Sequence, residues 1–173
     1  MIIWFLGISG SGKTTLGTLL KKRLDALKAD SFLIDGDLVR DFFDNDLGYS
    51  KEERMAHIKR ILFGAHVLSR TKTIAIVCNI SPFQELRDFA RKKLVDYNEI
   101  YLHRELDISV RNDVRGVYRN NLGKTALVGV DIPFDPPTNC DLKIDVDRLS
   151  IEESIEKIDN YLRNKYPSWP LCS

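Results

Sequence analysis

Gly7-Ile8-Ser9-Gly10-Ser11-Gly12-Lys13-Thr14 follows the pattern G-x-x-x-x-G-K-[ST], and its residue types suit one task. Glycines let backbone N–H groups turn inward as a concave anion nest at a helix N-terminus. Lys13 offers a point charge to the β- and γ-phosphates of a nucleoside triphosphate, and the Thr14 hydroxyl offers an oxygen to Mg²⁺. Gly7, Ser9, Gly10, Ser11, Gly12, Lys13, Thr14 and Thr15 are therefore the candidate ATP-binding residues, with Lys13 also catalytic and Thr14 the metal-side ligand beside water and phosphates. The plainer reading is a Gly/Ser-rich turn that happens to precede a helix.

The flanks decide between them. Ile2-Ile3-Trp4-Phe5-Leu6 reads as a buried strand, and Leu16, Leu19, Leu20, Leu24 and Leu27 recur at helical spacing after the loop. Strand, glycine loop, helix is the context that confirms the motif. A second group, Asp35-Gly36-Asp37 with Arg40, ends another strand-like run. In parallel α/β folds ligands bind beyond the carboxyl ends of strands, so both carboxylates belong at the same mouth as the loop. One can accept a proton from an attacking hydroxyl and the other can hold metal-bound water. The plainer reading makes Asp35 a turn residue and Asp37 a helix N-cap; Asp37 could serve both purposes.

The positioning elements follow from periodicity: strand 2–6, helix 13–28, strand 31–34, a short helix near 37–43, helix 51–70, strand 73–80, helix 83–94, strand 97–103, a short helix near 106–112, strand 142–146 and helix 150–164. This alternation predicts an α/β fold of the P-loop NTPase type, a parallel sheet of about five strands with helices on both faces, in one domain over residues 1–173. Residues 112–139 carry Gly116, Gly123 and Gly129 with Arg115, Arg119 and Lys124. Connections of that length are lids or binding loops more often than plain connectors. Tyr166-Pro167-Ser168-Trp169-Pro170 cannot be helix and reads as a tail docked by Trp169.

Composition narrows the class. With 26 basic and 25 acidic residues the net charge is +1, which gives no electrostatic case for nucleic acid or an anionic membrane. No apolar run approaches the roughly 20 residues that cross a bilayer. A strand beginning at Ile2 leaves no room for a targeting peptide, and Cys78, Cys140 and Cys172 show neither disulfide nor zinc spacing. The expectation is a cytoplasmic protein with Cys78 as a small core residue. His66 and His103 read as structural. A GTP switch needs a guanine-reading N-K-x-D, which does not occur.

Several further motifs resemble adenylylsulfate kinase (APS kinase), whose members phosphorylate the ribose 3′-hydroxyl of adenosine 5′-phosphosulfate with ATP. Asp35-Gly36-Asp37 with Arg40 is similar to the family's D-G-D-x-x-R. Asp46-Leu47-Gly48-Tyr49 resembles D-L-G-F, Arg54 and Arg60 fall on R-x-x-N-I-x-R, and Ile80-Ser81-Pro82-Phe83 with Arg87 resembles I-S-P-[YF] and a following arginine. The run Arg111 to Tyr118 resembles R-D-P-K-G-L-Y, and Gly129 to Pro137 resembles G-I-D-x-P-Y-E-x-P. The resemblance implies catalytic Asp37 and Asp35, Arg111 on the ATP, and an acceptor site of Asp37, Arg40, Tyr49, Arg54, His57, Ile80, Ser81, Arg115 and Leu127. It also implies ATP as co-substrate, Mg²⁺, a small nucleotide acceptor and a homodimer, although no sequence pattern requires the dimer.

The departures cluster on the acceptor side. The family's asparagine is His57, its lid lysine is Arg115, and its second base-stacking aromatic is Leu127. His57 could carry charge near neutral pH, so acceptor binding is expected to weaken as pH rises. One lost aromatic stack is worth on the order of 1–3 kcal/mol. A kinase of a related ribonucleotide anhydride, such as the cytidine diphosphoramidate of capsule pathways, is the alternative. A phosphotransferase for a sugar or shikimate-like acceptor would lack the D-L-G-aromatic platform that Tyr49 completes.

Overall fold

The computed structural model describes residues 1–113, 116–121 and 126–170. Five strands form an all-parallel sheet in the order β2-β3-β1-β4-β5. They are β1 (Ile2–Leu6), β2 (Ser31–Asp35), β3 (Ile74–Cys78), β4 (Tyr97–His103) and β5 (Leu142–Asp145). The helices are α1 (Lys13–Ala26), α2 (Gly36–Phe42), α3 (Lys51–Ser69), α4 (Gln84–Lys93), α5 (Leu106–Arg111), α6 (Val117–Asn121) and α7 (Ile151–Lys165).

Alternation along β1 divides the core. Ile2, Trp4 and Leu6 join one cluster with Ile58, Ile61 and Ala65 of α3 and Leu86 and Ala90 of α4. Ile3 and Phe5 join another with Leu16, Leu20 and Leu24 of α1 and Ile155, Ile158 and Leu162 of α7. The central strands β1 and β3 are apolar on both sides because both sides are covered, the condition for parallel sheets. Trp169 seals the second cluster at 4% exposure, and its indole donates to Asp159, so the tail is docked as its sequence suggests. Capping boxes Ser50/Glu53 and Ser150/Glu153 open α3 and α7, satisfying otherwise orphaned backbone N–H groups.

β1 has β3 on one side and β4 on the other, so the chain changes direction across the sheet there. That switch point is where an open α/β sheet leaves a crevice. β3 ends at Cys78, short of the expected 73–80, and Ser81 has φ 48°, a left-handed turn that extended pairing cannot continue through. α6 lies inside the segment read as loop: five residues are too few to show a helical period.

Candidate active site

The loop after β1 curls through left-handed glycines, Gly10 at φ 79° and Gly12 at φ 87°, conformations that cost other L-residues dearly. Four of its carbonyls are held by side chains. Lys13 Nζ donates to Gly7 O at 2.9 Å and Ile8 O at 2.8 Å. Tyr118 Oη donates to Ser9 O at 3.1 Å, and Arg104 Nη1 donates to Gly10 O at 2.7 Å. Since C=O and N–H are opposed across a trans peptide, holding Ser9 O outward directs the Gly10 N–H toward the crevice.

A cavity of about 530 Å³ runs over this loop, large enough for small-molecule ligands. One end is lined by Asp35, Asp37, Arg40, Tyr49, Arg54 and His57; the other by Arg104, Ser109, Asn112, Asp113, Val146 and Leu149; Gly10 to Leu16 form the floor between.

The two aspartates differ in their commitments. Asp35 accepts from the Thr14 hydroxyl at 2.8 Å and from the Asp37 N–H at 2.9 Å, so both its oxygens are engaged. It is the N-cap of α2, the place considered above for Asp37. Asp37 is exposed and lines the cavity. Thr14 gives its proton to Asp35, which leaves its oxygen lone pairs for a cation. That oxygen beside a carboxylate is a hard donor set of the kind Mg²⁺ takes, so these residues fit the ion.

On the far side, loop 46–50 is clamped by charge. Arg40 donates to Leu47 O and Gly48 O, Arg54 Nε donates to Tyr49 O, and Glu53 accepts from Gly48 N and Ser50 N. The guanidinium carbons of Arg40 and Arg54 stand 4.6 and 5.1 Å from the Tyr49 ring centroid, within cation–π range. Arg54 also reaches Ala126 O across 72 positions of sequence, joining this wall to the segment after α6. Arg60 is not in the cavity; it grips Asp46 through two bonds of 2.6 and 2.8 Å.

Several expectations are corrected. His57 does not carry charge at neutral pH: burial, reinforced by nearby Arg40, lowers its pKa from 6.5 to about 4. Ser81 does not face the cavity. It is 1% exposed, and its hydroxyl accepts from Trp4 Nε1 and donates to Asn79 Oδ1, while its neighbours Ile80 and Pro82 do line the cavity. Arg87, at 2% exposure, donates to Ser81 O and Asp135 O and so fixes that turn. Leu127 is buried away from the cavity, its N–H donated to Asp131. Arg111 is exposed and outside the lining, which takes its neighbours Asn112 and Asp113 instead. Gly7 and Ser9 act through their carbonyls rather than as lining. Arg115 lies outside the described residues. Cys78 does line the cavity, but burial pushes its thiol up to about 12, which keeps it unreactive.

Arg104 and Val146 went unread because neither belongs to a short motif; only the sheet order brings the ends of β4 and β5 beside the loop.

An anion nest, a hydroxyl-carboxylate pair at its edge and a second charged wall define a P-loop kinase. The adenylylsulphate kinase family model matches residues 1–145, and the chain belongs to that family. The adenylyl-sulfate kinase of Picosynechococcus sp. is 40% identical over 158 residues, 90% of this chain and 89% of its own. That of Oceanobacillus iheyensis is 37% identical over 168 residues, 95% of this chain and 84% of its own. The Mycobacterium tuberculosis APS kinase in complex with AMPPNP and APS matches with TM-score 0.87 at 31% identity, covering 94% of this chain and 96% of that one. A gluconokinase from Sinorhizobium meliloti, 16% identical at TM-score 0.62, shares the fold alone.

Proposed function

We propose that this protein transfers the γ-phosphoryl group of ATP to the ribose 3′-hydroxyl of a nucleoside 5′-anhydride, with adenosine 5′-phosphosulfate as the first reading. The observation that carries it is one continuous cavity joining a phosphate nest, two aspartates and an arginine-rich wall. Family membership supports the acceptor, as does likeness to a kinase whose structure holds AMPPNP and APS.

In this reading the nest binds the donor phosphates and Lys13 exchanges its loop carbonyls for the transferred group, where its charge stabilises the transition state. Asp35, with one hydrogen bond on each oxygen, holds Thr14 and the start of α2. The free carboxylate of Asp37 then accepts the proton of the acceptor hydroxyl, a division of labour the hydrogen bonds support. Thr14 Oγ1 would hold Mg²⁺ with phosphate and water oxygens, and the ion would supply neutralisation of phosphate charge. Arg40 and Arg54 keep N–H groups for the acceptor's anhydride, since a guanidinium carries five donors. Residues 112–139 act as the lid, and the arm of Arg104, Asn112 and Val146 houses the donor base. A cytoplasmic homodimer completes the reading. Exposed Phe42 and Phe63 support the dimer. No helix among the described residues is long and apolar enough to cross a membrane.

A second acceptor, a cytidine 5′-anhydride such as the cytidine diphosphoramidate of capsule polysaccharide modification, is favoured by one observation. Tyr49 is the one Phe, Tyr or Trp side chain lining the cavity among the described residues, and a pyrimidine asks less stacking area than a purine. The experiment compares catalytic efficiency for the two acceptors with ATP and Mg²⁺. A strong preference for the adenosine compound supports the first reading; turnover of the cytidine compound alone replaces it.

A further inference from the structure

Arg104 stands outside the motifs quoted above, yet its guanidinium reaches the nest from 94 positions away in the sequence. From the end of β4 its Nη1 donates to Gly10 O at 2.7 Å and its Nε to Asp147 Oδ1 at 3.0 Å. The other Asp147 oxygen accepts the Glu105 N–H at 2.8 Å. One guanidinium thus ties three segments: the nest, the β4–α5 junction and the β5–α7 connection. Its side chain is 24% exposed and that of Asp147 14%, sheltered enough for a charge-assisted pair to keep its geometry. These segments are the walls of the cavity arm lined by Arg104 itself with Ser109, Asn112, Val146 and Leu149. Of the four nest carbonyls held by side chains, two are held by Lys13, inside the motif, and one by Tyr118 of α6; Gly10 O alone is held from the connection after β4.

We propose that Arg104 is a positioning residue for the phosphate donor: by holding Gly10 O and Asp147 together it fixes the nest against the β5–α7 wall and so sets affinity for ATP. The inference rests on the donor half of the kinase reading and not on the identity of the acceptor. The planar fork is essential to it, because a single ammonium cannot serve two acceptors lying in different directions as well as a guanidinium does.

The test uses Arg104→Met, which keeps the aliphatic stem, and Arg104→Lys, which keeps the charge. AMPPNP binding is measured by calorimetry with Mg²⁺, alongside thermal stability and the KM values for ATP and acceptor. Losing a charge-assisted hydrogen bond should weaken AMPPNP binding about tenfold in Arg104→Met. Arg104→Lys should fall between it and the wild type, and the acceptor KM should stay within about twofold. Asp147→Asn combined with Arg104→Met should be no worse than Arg104→Met alone, since both act through one clasp. AMPPNP affinity unchanged in a stable Arg104→Met protein would overturn the inference, as would equal rises in both KM values. Failure of the wild type to bind AMPPNP would instead overturn the donor-site reading beneath it.

Discussion

Replacing His57 with Asn should flatten the acid limb of the protein's stability curve. His57 sits on α3 at 4% exposure. Burial first, then the Arg40, Arg60 and Arg54 guanidiniums, lower its pKa from 6.5 to about 4, with the Gly36 backbone acting in the opposite sense. The unfolded chain takes up a proton near pH 6.5 that the folded chain refuses until about pH 4, so this group costs stability as pH falls through that window. For those two values the cost between pH 7 and pH 5 is about 2 kcal/mol. That corresponds to about 4–8 °C in melting temperature for a chain of this size. Calorimetric melts at pH 7, 6 and 5 should show the wild type losing that much more than His57→Asn, whose side chain does not titrate there. Parallel curves for the two proteins would refute the buried, neutral imidazole. The same neutrality predicts an acceptor KM that is flat from pH 6.5 to 8, against the expectation drawn from the sequence.

Lys13→Ala should lower turnover by several orders of magnitude in a protein that still melts cooperatively; near-native turnover would remove Lys13 from the donor site. Asp37→Asn should reduce kcat about 10²–10⁴-fold with little change in melting temperature, because its side chain carries no structural bond that Asp35 does not already supply. Equal loss of stability in Asp37→Asn would contradict that separation. Gly17→Ala should destabilise by about 1–3 kcal/mol in urea titrations, as overpacking does, since an added Cβ would stand 2.4 Å from Cys78 Sγ beneath α1. A stability equal to wild type would mean that α1 shifts freely on the sheet.

Much of the scaffold was legible because its signals are local. The apolar run of β1, the leucine period of α1 and the G-x-x-x-x-G-K-T loop each declare themselves within a few residues. So does the D-G-D turn, although which aspartate caps α2 depends on side-chain direction and not on spacing. Ser81 was misread because its motif gives the backbone position, while φ 48° turns the hydroxyl toward Trp4 and Asn79. Leu127 and Arg111 lie outside the cavity lining for a similar reason: a motif match places the backbone near the site, and the local fold decides which side chains face it. The charge state of His57 needs the whole neighbourhood, since burial and three arginines from α2 and α3 act on one ring. The Arg104–Asp147 clasp joins residues 43 positions apart and becomes visible only with the strand order.

Phosphoryl transfer to a ribose 3′-hydroxyl across one cavity leaves a product that can be read directly. The direct measurement incubates the protein with ATP, Mg²⁺ and either adenosine 5′-phosphosulfate or a cytidine 5′-anhydride, each beside its 3′-deoxy analogue, and follows products by phosphorus NMR. ADP and a new 3′-phosphomonoester should form in equal amounts from at least one ribose acceptor, and no phosphorylated product from the 3′-deoxy analogues. ADP formed with inorganic phosphate alone, or phosphorylation of a 3′-deoxy analogue, would contradict it.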